Sequence, residues 1–87
     1  MANYSLLFKR SVAKDLRNIP NKDVKRILAC IESLRVNPRA SGCIELSGQD
    51  LYRKRQGLYR IIYEIKDSEL IISVIKVAHR SDVYKTR

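Results

Sequence analysis

Apolar residues recur with two different periods along this chain, and the change comes near its middle. In the first half the spacing is helical. Val12, Leu16 and Ile19 fall on one side of one segment, and Val24, Ile27, Leu28, Ile31 and Leu34 form a stripe along another. From Cys43 onward apolar positions recur at every second residue, the period of a strand. The pattern predicts a first strand over Asn3 to Lys9 and a helix capped by Ser11. That helix stops at Ile19-Pro20, because proline disfavours helical geometry in the residue before it. Asn21 is the expected cap of a second helix, which Asn37-Pro38 ends. Three strands follow, Leu51 to Gln56, Tyr59 to Lys66 and Glu69 to Val77, with turns at Gly57 and Asp67-Ser68. The last two are apolar on both faces and belong in the middle of a sheet.

The expected architecture is therefore α+β. An N-terminal strand leads into an antiparallel helical pair and then a three-stranded antiparallel meander, with the helices packed on one face of the sheet. Residues 1–87 make one domain, closed by a short polar tail over Ser81 to Arg87. The face without helices is the place to look for function.

Composition narrows the choice of partner. Of 87 residues, 45% are hydrophobic, and they gather in periodic runs that a disordered basic tail would lack. Eighteen Lys and Arg against nine Asp and Glu give a net charge of +9, which calls for a polyanionic partner. Nucleic acid, an anionic membrane surface and an acidic protein all qualify, and for a basic domain of this size nucleic acid ranks first. No apolar stretch approaches the roughly 20 residues needed to span a bilayer. The opening MANYSLLFKR lacks the layout of a secretory signal, so the expected compartment is the cytoplasm. Cys30 and Cys43 are too far apart for a CxxC unit, and a single His cannot complete a typical zinc site. They read as free thiols; neither a metal nor a cofactor is expected.

Candidate chemistry gathers in two clusters. The segment Tyr52 to Arg60 carries Arg53, Lys54, Arg55 and Arg60 around one turn. Alternate strand residues share a face, so Arg53 and Arg55 point the same way, and Arg60 can reach them across the hairpin. Taken alone, the cluster reads equally well as a solvated basic edge strand that discourages aggregation. The second cluster, His79-Arg80 with Tyr84 shortly after, leaves the last strand and can converge on the first. Arginine forks grip phosphate, and tyrosine can stack on a base. Arg53, Arg55, Arg60, Arg80 and Tyr84 are thus the candidates for catalysis, and Arg53, Lys54, Arg55, His79 and Lys85 for holding nucleic acid. His79 reads equally as a surface residue or a proton carrier. Tyr52, Tyr59 and Tyr63 fit the core better than a base platform.

The segments LYRKRQGLYRIIYEI (Leu51 to Ile65) and VAHRSDVY (Val77 to Tyr84) resemble the RelE/ParE superfamily of bacterial toxins, and within it the RelE-like messenger-RNA endonucleases. The order of elements fits as well, so the likeness spans nearly the whole chain. It implies the toxin of a type II toxin–antitoxin system that enters the ribosomal A site, cuts messenger RNA by 2′-hydroxyl attack on the adjacent phosphate without metal, and so stops translation. A cognate RelB-like antitoxin is the implied partner, along with ribosome, message and, through the toxin–antitoxin complex, operator DNA; a membrane is not implied. By position, Arg53 and Arg55 would hold the message or orient the 2′-hydroxyl. Arg60 and Arg80 would stabilise the phosphoryl oxygens, and Tyr84 would stack on a nucleotide or assist proton transfer. Relatives carry lysine where Arg53 and Arg55 stand, and a guanidinium is a poor general base. Tyr84, Lys54 and His79, in that order, are the candidates to accept the proton. A ParE-like inhibitor of DNA gyrase that cuts nothing is the alternative, and a protein that mainly modulates its antitoxin's operator binding is a third reading.

Overall fold

The computed structural model describes residues 3–46 and 50–79. In chain order these form β1 (Ser5–Phe8), α1 (Arg10–Arg17), α2 (Asn21–Leu34), β2 (Cys43–Leu46), β3 (Leu51–Gln56), β4 (Tyr59–Lys66) and β5 (Ile71–His79). One five-stranded sheet results, in the order β1-β5-β4-β3-β2. Strands β2 to β5 run as an antiparallel meander, and β1 lies parallel to β5 at the far edge. A parallel pair cannot be joined by a tight turn, and here the two helices carry the chain from β1 to the opposite edge, from which the meander returns to β5.

The core forms where the helical stripe meets one face of the sheet. Val12 of α1 and Ile27, Ile31 and Leu34 of α2 pack with Tyr52, Ile61, Tyr63, Ile65, Ile72, Val74 and Val77. Full burial of one such aliphatic side chain contributes about 1.5–3 kcal/mol, so this layer sets which way the sheet faces. Tyr52 and Tyr63 stack at 5.8 Å between ring centroids. The Tyr63 hydroxyl donates to the Pro38 carbonyl at 2.6 Å, tying the loop after α2 to the central strand. Burial pushes the Tyr63 hydroxyl well above the usual tyrosine range.

At the opposite end from the β3–β4 turn, Arg39 closes the structure. It donates to Asp67 through two nitrogens, at 3.1 and 2.7 Å, and through Nε to the Tyr52 hydroxyl at 3.0 Å. The Tyr4 hydroxyl donates to Asp67 at 2.8 Å. The Arg39 fork, and then Tyr4, hold the Asp67 carboxyl below the usual carboxylate range.

The fold class, the helical pair and the interior places of β4 and β5 agree with the pattern in the sequence; several details differ. The meander has four strands, because Cys43–Leu46 pairs antiparallel with β3. This strand is short and leaves Ile44 50% exposed, so it shows little alternation between apolar and polar. Since β2 covers it, β3 is an interior strand and its charges are not those of an edge. Ser11 and Asn21 do not cap: Lys9 and Pro20 hold the N-cap positions, without a side-chain cap bond. Leu28, at the rim of the stripe, is 41% exposed. Strand β5 begins at Ile71, after a 3₁₀ turn over Asp67–Glu69. Among the described residues, no helix is long and apolar enough to cross a membrane.

Candidate nucleic-acid interface

Strand register assigns each cation to a side. Across β3 and β4, Lys54 pairs with Ile61 and Tyr52 with Tyr63, while Arg55 pairs with Arg60 and Arg53 with Ile62. Directly opposed residues share a face. Ile61, Tyr63 and Tyr52 lie in the helix-covered core, so Arg53, Arg55 and Arg60 occupy the other face together. The tight hairpin fixes that match. Gln56 pairs with Tyr59, which leaves a two-residue loop of Gly57 and Leu58. Gly57 has φ of 60°, and the first central position of such a loop favours glycine.

Register also decides β5. Ile62 pairs with Lys76 but Tyr63 pairs with Val74, so Ile75 is an extra residue in a bulge. The bulge lets Ile72, Val74 and Val77 all face the helices. It also puts Lys76 in the row of Ile62 and Arg53, and Ala78 opposite Arg60. Lys76 is a cation that the sequence pattern does not assign to this row. Its ammonium reaches over the outer edge of β5 and lies 3.8 Å from Asp15 of α1.

Three expectations need correction. Arg60 faces away from the helices as anticipated, but it is only 3% exposed. It occupies the central strand between β3 and β5, where a side chain has neighbours on both sides, so its guanidinium lies beneath the surface. Arg53 is half-buried and Arg55 exposed. Lys54 is on the opposite side of the sheet from the arginines, where its ammonium donates to the Ser41 carbonyl at 3.1 Å. His79 is also on the helix side: it pairs with Tyr59, and the two rings meet edge to face at 5.5 Å. Two residues beyond Val77, it inherits the direction of that core residue. Arg80, Tyr84 and Lys85 lie outside the described residues.

What the described residues assemble is a graded cationic surface, from exposed Arg55 through half-buried Arg53 to sealed Arg60. Arg55 faces Arg60 directly, and like charges so opposed on a sheet repel, which makes this face favourable to an anion. Guanidinium forks match phosphate geometry, and charge beneath a low-dielectric surface is felt more strongly than charge in water.

The model of the ParE toxin of type II toxin–antitoxin systems matches residues 6–84. The chain belongs to the RelE/ParE superfamily of toxins. Toxin RelG of Mycobacterium tuberculosis is 30% identical over 92 residues, covering 94% of this chain and 97% of the relative. Among solved structures, the archaeal RelE–RelB complex from Pyrococcus horikoshii matches with a TM-score of 0.78 at 28% identity, over 90% of this chain and 96% of the other. The RelB–RelE antitoxin–toxin complex from Methanococcus jannaschii matches with a TM-score of 0.73 at 30% identity, over 91% and 95%. The fold is therefore shared nearly end to end with these structures.

Proposed function

We propose that this toxin is a metal-independent endoribonuclease that cuts messenger RNA in the ribosomal A site, and that a RelB-like antitoxin neutralises it. One observation carries the reading: Arg53, Arg55 and Arg60 share the sheet face that the helices leave uncovered. The relatives named RelE and RelG, and the solved RelB complexes, support it.

In this reading Arg55 and Arg53 grip the backbone of the message, and Arg60 adds positive potential from beneath. The 2′-oxygen attacks the adjacent phosphorus, the bond to the 5′-oxygen breaks and that oxygen leaves as a hydroxyl on taking a proton from water, and the fixed cations stabilise charge on the phosphoryl oxygens. Arg80, next in sequence after His79, is the proposed further cation. The 2′-hydroxyl must lose its proton to a base. With Lys54 and His79 turned to the helix side, Tyr84 is the proposed acceptor. The antitoxin would cover the same basic face, and operator DNA would be met through the complex.

The test is translation of a defined message with purified toxin, with cuts mapped by primer extension. Cuts confined to translated codons, abolished by the antitoxin, are the expected result; an intact message counts against the reading. The match to the ParE toxin model favours a second reading, poisoning of DNA gyrase without cutting. Trapped gyrase–DNA complexes beside an intact message would establish that one instead.

A further inference from the structure

Strand β5 outruns its partner. β1 ends at Phe8, which pairs with Val74, and the last backbone bond along that edge runs from the Lys9 N–H to the Val74 carbonyl at 3.0 Å. Beyond this point the outer edge of β5 would face the solvent. Instead the Val77 N–H donates to Asp15 Oδ2 at 3.1 Å, and the Lys76 ammonium approaches Oδ1 at 3.8 Å. One carboxylate on α1 thus does for the end of β5 what β1 does for its beginning. The Asp15 side chain is only 18% exposed, so it is committed to this contact.

Asp15 is poorly placed by local rules. It is the single acid in α1, whose other charges are Arg10, Lys14 and Arg17. It stands in the last turn, where the helix dipole disfavours negative charge. A residue that breaks its local rule answers to a demand from elsewhere in the fold. Here the demand comes from the stretch of β5 that carries His79. Asp15, His79, Lys76 and Tyr59 line one cavity of about 360 Å³ at that end of the sheet.

We propose that Asp15 is a positioning residue: by holding the Val77 N–H it fixes the end of β5, where Ala78 lies directly opposite Arg60. The inference rests on the nuclease reading above. It adds a residue on the helix side of the molecule, acting through the backbone of β5 and not by contact with RNA.

The experiment compares toxin with Asp15→Ala and Asp15→Asn, each freed from its antitoxin. Amide exchange reads the clasp, and single-turnover cutting on programmed ribosomes reads the chemistry. In Asp15→Ala the Val77 amide should exchange roughly tenfold faster or more, with Ile61 and Tyr63 still protected. Cutting should slow by about tenfold to a hundredfold, the scale of a small misplacement made away from the reacting atoms, with ribosome affinity unchanged. Asp15→Asn keeps an oxygen that accepts the N–H, so it should recover most of the rate; it also serves if the alanine variant does not fold. Two results overturn the inference: both variants cutting at the wild-type rate, or protection lost evenly over the whole sheet together with activity. Wild-type toxin that leaves the message whole removes the nuclease reading itself, a result distinct from either.

Discussion

Arg55 and Arg60 are directly opposed across the β3–β4 hairpin, one exposed and the other sealed at the centre of the sheet. Facing like charges cost stability, about 0.2–1 kcal/mol in a sheet. Arg55→Ala should therefore raise the melting temperature slightly in low-phosphate buffer. The same change should weaken binding to single-stranded RNA and reduce its salt dependence by about one counterion. Calorimetry and salt-titrated binding on one preparation read both effects. A variant that is less stable and binds RNA as before would show that the pair is not arranged for an anion.

The opposition of these arginines depends on a two-residue turn. Gly57 has φ of 60° with open space where a Cβ would be, so only the backbone penalty applies on substitution. Gly57→Ala should cost about 1–2 kcal/mol, the left-handed penalty of an ordinary residue. Chemical denaturation measures it directly.

A second contact holds the sheet to the loop after α2. Removing the Tyr63 hydroxyl leaves the buried Pro38 carbonyl without this donor, at a cost of about 1–3 kcal/mol. Tyr63→Phe should lower the melting temperature accordingly. The pH dependence has a definite sign. The folded state holds this hydroxyl's proton more tightly than the unfolded state, so the stability it contributes is present below the ordinary tyrosine pKa of about 10 and is lost as pH rises above it. The phenylalanine variant should lack that alkaline component.

Asp67 behaves in the opposite sense. Its carboxyl is held low by Arg39 and then by Tyr4, so its contribution is present above the ordinary carboxylate pKa of about 3.9. That contribution is lost as pH falls through the lower value of the folded state. Asp67→Asn should therefore be less stable than wild type at pH 6, and the gap should close towards pH 2. Denaturant midpoints across that range check the prediction, and a gap that widens in acid would contradict it.

The fold was readable because burial in this chain is strongly periodic. The α2 stripe and the doubly apolar β4 and β5 each left one plausible arrangement. β2 carries no such signal, because an exposed Ile44 beside Glu45 offers no contrast between faces. The faces of β5 were harder for a different reason. Strict alternation from Ile72 and Val74 would carry Lys76 into the core, and only the bulge at Ile75 resolves this conflict. For the site, the common face of Arg53 and Arg55 followed from strand period alone. The depth of Arg60 did not, because burial depends on neighbouring strands that a local pattern cannot supply. Asp15 left a faint trace, an acid in the wrong turn of a basic helix, but its partner is a backbone N–H far along the chain.

The most direct test concerns Arg60. Single-turnover cutting of a ribosome-bound codon should be compared between wild type and Arg60→Met, which keeps the stem of the side chain and removes its charge, with thermal melts confirming the fold. Loss of one preorganised stabiliser of developing charge is expected to slow cutting about a hundredfold to a thousandfold. A folded Arg60→Met that cuts at the wild-type rate would contradict the account.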